Sequence, residues 1–183
     1  LNYVEMKKEF FNFQVKAKNA KVTLIFYSGH GIQVGGINYL LPIDVDVDAD
    51  SSEILKKSIN FNDLKNNSPG QTKLIFLDAC RNNPFKNGLS RDFKNKGLAS
   101  INNIPPGVLI SFSTKDGGVA LDSASLSGSS SNSPYTASLI KHIGEKEDII
   151  LILRKVRDEV MRNTNNIQQP WEYTNFSSGR LIL

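Results

Sequence analysis

Two side chains stand out as possible catalytic partners, His30 and Cys80. His30 is one of two histidines in the chain and lies in YSGHG (residues 27–31), with a glycine on each side and an apolar run before it. Cys80 is the one cysteine and comes 50 residues later, after the run KLIFLDA. A cysteine attacks a carbonyl carbon best as a thiolate, which a nearby histidine produces by accepting the thiol proton. The pair is therefore a candidate dyad for nucleophilic catalysis.

The surrounding pattern predicts a fold that can bring the two together. Buried strands are predicted from three apolar runs rich in β-branched and aromatic residues, at 21–28, 73–79 and 107–113. Helices are predicted at 1–18, 61–66, 135–143 and 147–161, and a closing strand at 179–183. Strands that alternate with helices indicate an α/β fold with a largely parallel sheet. Ligands bind beyond the carboxyl ends of such strands, where His30 and Cys80 both lie.

Each residue also has a plainer interpretation. A lone cysteine at the end of an apolar strand is more often a small buried hydrophobic residue than a nucleophile, and a histidine between glycines can simply occupy a turn. The presence of both at strand ends, in a chain with no other cysteine, favours catalysis. Backbone N–H groups must then face the developing oxyanion. Those of Gly31 and Cys80 are the candidates, because glycine lets the backbone approach a substrate closely.

Composition limits the other classes of function. The 183 residues, 39% hydrophobic and 22% charged, predict a single soluble domain over residues 1–183. The net charge is +4, but basic and acidic residues are interspersed, so nucleic acid is not an expected partner. No apolar stretch approaches the roughly 18 residues that span a bilayer, so no membrane association is expected. The single cysteine excludes an internal disulfide and fits a reducing compartment, which makes a cytoplasmic location the expectation.

Several motifs together resemble the caspase-like cysteine peptidases, the clan that includes caspases, metacaspases and bacterial relatives. A histidine about 50 residues before the cysteine is part of the caspase signature. YSGHG is similar to the histidine motif of the family, NYLLPID to the segment after it, LISFST to the strand that lines the substrate groove, and SPYTASLIKHI to the late helix of bacterial members. The resemblance implies a caspase-like (caspase-haemoglobinase) fold. It also implies a cysteine endopeptidase that uses His30 and Cys80, needs no cofactor and acts on protein or peptide substrates.

The resemblance also implies a preference for basic substrates. Asp78 stands two residues before the cysteine, as in metacaspases, where caspases have a glutamine. Asp122 aligns near the arginine with which caspases bind a substrate acid. Ser111 and Ser113, on the strand similar to the groove wall, are further candidates for substrate binding. Carboxylates on a pocket wall pair with Arg or Lys and repel Asp, so cleavage after Arg or Lys is expected. Alternatively, Asp78 caps a strand end or pairs with Arg81, and Asp122 merely opens a Ser-rich loop.

The family pattern further implies a strand that is missing here. In the family a first, central strand precedes the histidine strand, and no part of this sequence corresponds to it. Without it, the strand at 21–28 would present an unpaired apolar edge, so the native protein is expected to be longer. Two segments rich in Asn, Ser, Gly or charge are expected to be mobile loops, residues 81–97 and 122–133.

Calcium and a non-catalytic role remain as alternatives. Some metacaspases need calcium, and Asp44 matches one acid of that site, but the adjacent acid pair expected further along is absent. No cofactor is therefore expected, and calcium is the less favoured alternative. The second function considered is a caspase-like scaffold that binds partners without hydrolysis, because one fold hosts many functions.

Overall fold

The computed structural model describes residues 1–46, 49–79, 98–121, 132–176 and 179–183. Its elements follow in the order α1 (Tyr3–Lys16), β1 (Val22–Ser28), β2 (Gly31–Val34), β3 (Ile37–Leu40), α2 (Ser51–Lys56), β4 (Ile59–Asn60), α3 (Phe61–Asn67), β5 (Thr72–Asp78), β6 (Val108–Phe112), α4 (Pro134–His142), α5 (Ile149–Asn163) and β7 (Trp171–Thr174). Four strands form the main sheet in the order β1-β5-β6-β7. The first three are parallel and β7 is antiparallel to β6. The prediction of an α/β fold with a mostly parallel sheet is confirmed.

Helices pack on both faces of β5, which is apolar on both sides. Ile75 and Leu77 pack with residues of α1 and α3. Leu74 and Phe76, which alternate with them, pack against α4 and α5. Successive side chains of a strand point to opposite faces, so the near-continuous run LIFL requires a layer of helices on each side. The predicted burial on both faces is therefore confirmed for β5.

The same prediction is wrong for β1. Val22, Leu24 and Phe26 are 37%, 44% and 42% exposed. These side chains share the face on which α4 and α5 pack, but those helices lie over β5 and β6. Thr23 is buried and Ile25 half-buried on the opposite face. Among the described strands, β1 is at an edge of the sheet, and the helical layer ends before it.

A small antiparallel sheet, β2-β3-β4, follows the His30 segment and was not predicted. Gly35 and Gly36 form the two-residue turn between β2 and β3 with φ of 57° and 83°. Positive φ at both turn positions is the type I′ geometry that suits a hairpin and that glycine adopts readily. Ile32 of this hairpin is buried against Ile54 of α2.

Capping side chains fix the starts of the two helices behind the main sheet. Ser133 caps α4, where its side chain accepts a hydrogen bond from the N–H of Thr136, and Pro134 occupies the first turn. Asp148 caps α5.

Within the described segments, no helix combines the length and apolar character that crossing a membrane requires.

The closing strand predicted at 179–183 is wrong. The strand next to β6 is β7, whose Tyr173 lies opposite Ile110. The described C-terminal residues instead lie beside the start of α5. Ile149 donates its N–H to Leu181 O at 2.8 Å, and Leu181 donates its N–H to an oxygen of Asp148 at 3.0 Å. Residues 179–183 therefore contact the start of α5 and belong to neither of the described sheets.

Candidate active site

The segments that carry the predicted dyad meet at one edge of the main sheet. Ser28, the last residue of β1, lies opposite Asp78, the last residue of β5. Immediately beyond, Gly29 donates its N–H to Asp78 O at 3.1 Å. His30 follows on one side and Ala79 on the other. Cys80, the residue after Ala79, is outside the described residues. The described parts of both segments therefore occupy the carboxyl edge of parallel strands, where the prediction placed them.

The backbone of His30 is held firmly while its side chain is exposed. Leu41 donates its N–H to His30 O at 2.9 Å. The Tyr27 hydroxyl lies 2.6 Å from His30 O and 2.9 Å from Leu41 O, so its single proton is shared between two carbonyls. Burial raises the pKa of Tyr27 well above its ordinary value, although the bond to Leu41 acts in the opposite direction. The hydroxyl therefore stays protonated and keeps its role as a donor.

Gly29 is required by a close approach. A Cβ at this position would lie 2.7 Å from the Tyr27 hydroxyl oxygen. A methyl group there would displace the ring whose hydroxyl binds His30 O. This gives a structural reason for one of the glycines that flank His30.

The N–H group of Gly31 is not used by the pairing of β2 with β3. Gly31 pairs with Leu40 in the antiparallel β2–β3 ladder, and Leu41 donates to His30 O. In such a ladder this arrangement marks a non-hydrogen-bonded pair, so the N–H of Gly31 points away from β3. Gly31 is buried, and its oxyanion role stays a prediction. The other predicted donor, the N–H of Cys80, lies outside the described residues.

A cavity of about 410 Å³ opens beside these strand ends. His30 and Asp78 both line it, one from each strand segment. Ala120 and two residues at the start of α4, Ser133 and Thr136, contribute other parts of the wall. Sequence reasoning named His30 and Asp78 but missed the last three. The Ser-Pro pair at 133–134 signalled a helix start, yet nothing local indicated that this start faces the histidine.

Asp78 is buried in the wall of this cavity, with 7% of its surface exposed. Its Oδ2 atom accepts hydrogen bonds from Ser133 Oγ and from Thr136 Oγ1, the latter at 2.5 Å. The carboxylate therefore lies at the N-terminus of α4, where the helix dipole favours a negative charge. Asp78 thus anchors α4 and also lines the cavity. Its alternative partner, Arg81, is not among the described residues.

Ser111 and Ser113 are placed differently from the other candidates. Their side chains are 1% and 0% exposed, and neither lines the cavity beside His30. Ser111 Oγ accepts from the Tyr135 hydroxyl at 2.8 Å, and Ser113 Oγ donates to Ala79 O at 3.3 Å. Both hydroxyls thus join β6 to its neighbours. A direct contact of these side chains with substrate has no support in this arrangement, and Asp122 lies outside the described residues.

Gln168 is a buried residue near the site that sequence reasoning missed. Its side chain is 0% exposed and donates Nε2 to Ser113 O at 2.9 Å. Its Oε1 accepts from the N–H of Leu121 at 3.1 Å. Gln168 therefore ties the end of β6 to the segment that brings Ala120 to the cavity. The local sequence NIQQP carries no pattern that distinguishes this glutamine from its neighbour.

The second histidine, His142, lies far from the cavity in an ion-pair network. Its Nδ1 is 2.5 Å from Glu145 and its Nε2 is 2.6 Å from Glu159. A structural role fits these contacts, which link the end of α4 to α5.

The residue proposed as a calcium ligand has another contact. Asp44 Oδ1 accepts the N–H of Tyr3 at 2.8 Å, at the start of α1. The part of the chain that the structure describes contains no group of three or more His, Cys, Asp or Glu side chains arranged to hold a metal ion.

Comparisons with known proteins agree with this architecture. The family model of the caspase domain (peptidase C14) matches residues 1–181. Among solved structures, the chain is similar to caspase-1 from Spodoptera frugiperda, with a TM-score of 0.62 and 19% identity, over 97% of this chain and 69% of that one. No curated protein sequence matches the chain. At this identity the structural likeness shows the fold, which is α/β and caspase-like. Because the family model spans nearly the whole chain, this protein belongs to the caspase-domain family, peptidase C14.

Proposed function

We propose that the protein is a cysteine endopeptidase that cleaves peptide bonds after Arg or Lys, with His30 as the base and Cys80 as the nucleophile. One observation carries the proposal. The register of β1 and β5 sets Ser28 opposite Asp78, so the chain enters the His30 segment and the Ala79–Cys80 segment from adjacent parallel strands. Membership of the caspase-domain family supports the same chemistry, because peptide substrates are typical of that family.

The first half of the reaction forms an acyl-enzyme. His30 accepts the thiol proton of Cys80, and the thiolate attacks the carbonyl carbon of the scissile bond. The oxyanion that develops is stabilised by the N–H of Gly31, which points away from its sheet partner, and by the N–H of Cys80. The tetrahedral intermediate then collapses. The C–N bond breaks, and the amine leaves with the proton that His30 had accepted.

The second half releases the acid product. Water loses a proton to His30 and attacks the thioester carbonyl, and the thiolate of Cys80 leaves. His30 then returns its proton to the thiolate. The exposed imidazole and the firmly held His30 backbone suit this cycle, because the ring must exchange protons with thiol, amine and water in turn.

The preference for Arg or Lys rests on the charge of the cavity. Asp78 lines the same cavity as His30 and is the one acidic side chain among its described lining residues. A buried carboxylate interacts strongly with a cation that enters and repels an anion. A substrate side chain that reaches into this cavity would therefore carry a positive charge.

Peptide cleavage by the purified protein tests the proposal. Three fluorogenic peptides that differ only in Arg, Lys or Asp before the scissile bond are compared, with and without calcium. We expect cleavage of the Arg and Lys peptides, and no cleavage by Cys80→Ala or His30→Ala. His142→Gln, which alters the histidine outside the cavity, serves as the matched control and retains activity. If no peptide is cleaved, or if Cys80→Ala cleaves as fast as the unmodified protein, the proposal is wrong.

A non-catalytic scaffold is the competing function, and alkylation of the cysteine separates the two. A peptidyl chloromethylketone with Arg at its reactive end requires a nucleophilic thiolate and an acidic pocket. Selective, His30-dependent labelling of Cys80 supports the peptidase. Labelling that is no faster than that of a small free thiol supports the scaffold.

A further inference from the structure

The oxygen atoms of the Asp78 carboxylate have unequal surroundings. Both hydroxyl donors, from Ser133 and Thr136, contact Oδ2. No side chain in the described segments donates a hydrogen bond to Oδ1. A carboxylate oxygen offers about two acceptor sites, so these two donors occupy Oδ2, and no described side chain occupies Oδ1.

The hydroxyl of Thr136 is held in place by the packing of α4. Thr136 lies in the first turn of this helix, directly after Tyr135, which is fully buried and donates its hydroxyl to Ser111 Oγ at 2.8 Å. Leu139, one turn further on, is buried in the same core cluster. A donor carried on a packed helix is positioned more precisely than one on a loop. Ser133 also donates to Asp78, and its Oγ accepts the N–H of Thr136 at 3.0 Å, so a change at Ser133 would disturb the helix cap as well as the carboxylate.

We propose that Thr136 is a positioning residue for substrate recognition. Its hydroxyl fixes Asp78 through Oδ2, and Oδ1 is thereby directed to the cationic side chain of the substrate residue before the scissile bond. This inference rests on the proposed peptidase function and extends it by naming the residue that orients the specificity carboxylate. Without the Thr136 hydroxyl, the carboxylate keeps its charge but loses one of the two bonds that set its orientation.

Steady-state kinetics with the Arg and Lys peptides test the inference. Thr136→Val removes the hydroxyl at nearly constant shape, Thr136→Ser keeps it, and Ser138→Ala is a control on the same helix. Ser138 bonds Glu159, away from the cavity, at 3.1 Å. We expect Thr136→Val to raise KM for both peptides about tenfold with kcat changed less than about twofold, because a hydrogen bond to a charged group is lost. Thr136→Ser is expected to restore KM, and Ser138→Ala to leave it unchanged.

Each outcome decides the matter. If the unmodified protein cleaves the basic peptides but Thr136→Val leaves KM unchanged, or if Thr136→Ser is impaired as strongly as Thr136→Val, the positioning role is wrong and the peptidase function stands. If the unmodified protein cleaves neither peptide, both proposals fall together. Thermal unfolding of each variant, and binding of a small guanidinium compound to Cys80→Ala with and without Thr136→Val, separate loss of recognition from loss of fold. Equal affinity of the guanidinium compound for Cys80→Ala and for the double variant Cys80→Ala, Thr136→Val overturns the inference.

Discussion

Gly29 donates its backbone N–H to the carbonyl oxygen of Asp78 at 3.1 Å, directly beyond the last paired residues of β1 and β5. This bond fastens the start of the His30 segment to the strand that leads to Cys80. The relative position of the proposed base and nucleophile thus depends on the backbone at Gly29 as well as on the two side chains. A near-attack geometry is sensitive to small displacements, so changes at this bond are expected to affect catalysis more than stability.

Gly29→Ala is expected to lower kcat/KM for the Arg peptide by about tenfold or more. The new Cβ would lie 2.7 Å from the Tyr27 hydroxyl oxygen, so the ring or the His30 segment must move. The matched control is Gly144→Ala, since a Cβ at Gly144 meets nothing within 4 Å. Kinetics of both variants check the prediction. Equal activity of Gly29→Ala and Gly144→Ala would contradict it.

Tyr27→Phe is expected to weaken both catalysis and stability. The ring would still fill its place in the core cluster, but His30 O and Leu41 O would lose the hydroxyl between them. Loss of this exposed-to-half-buried hydrogen bond costs about 0.5–1.5 kcal/mol of unfolding free energy. The His30 backbone keeps its bond from Leu41, so kcat falls rather than vanishes. Urea unfolding and kinetics measure the two effects, and a variant with unchanged kcat would show that the hydroxyl does not help to place His30.

The strands and the meeting of their ends could be predicted from sequence because the signals are local. The run KLIFLDA predicted a strand at 73–79, and β5 spans Thr72–Asp78. Parallel pairing with the strand before His30 followed from the alternation of strands with helices. Gly35–Gly36 between short apolar runs is also a local hairpin signal, although no hairpin was predicted there.

The walls of the cavity could not be predicted, because their contacts are non-local. Ser133 and Thr136 lie 55 and 58 residues from the Asp78 carboxylate that they bind. No period or spacing in the sequence pairs them. Ser111 and Ser113 show the limit of reasoning from similarity to a groove wall. That similarity suggested substrate contacts, which stay a prediction, while the structure buries Ser111 within β6 and Ser113 just after it.

Gln168→Ala is expected to destabilise the protein and to raise KM. The change removes the bonds to Ser113 O and from the N–H of Leu121, leaving one buried carbonyl and one half-buried N–H without these partners. We expect a loss of about 1–3 kcal/mol of unfolding free energy, the cost of an unsatisfied buried group. KM rises because the segment carrying Ala120 loses its tie to β6. The neighbouring Gln169→Ala is the control, and a comparable loss there would show that Gln168 has no special role.

Glu159→Gln is expected to make the free energy of unfolding depend less on pH in the acid range. Burial alone would raise the pKa of the Glu159 carboxyl, but three hydrogen-bond donors outweigh burial and lower it: Lys141, His142 and Ser138. A carboxyl whose pKa is lower in the folded chain than in the unfolded chain stabilises the fold above its unfolded value, near 4.5, and this contribution is lost as the pH falls through the folded value.

The unmodified protein should therefore exceed Glu159→Gln in unfolding free energy by about 1 kcal/mol near neutral pH, and the two curves should converge as the pH falls below about 4.5. Urea unfolding across this range measures both curves. Glu53→Gln, which alters an exposed helical ion pair with Lys57, provides the background for loss of a surface carboxylate. Parallel curves for the unmodified protein and Glu159→Gln would mean that the link between α4 and α5 through Glu159 does not depend on its charge. Peptidase activity per folded molecule should be the same in both, because the network lies outside the cavity that His30 and Asp78 share.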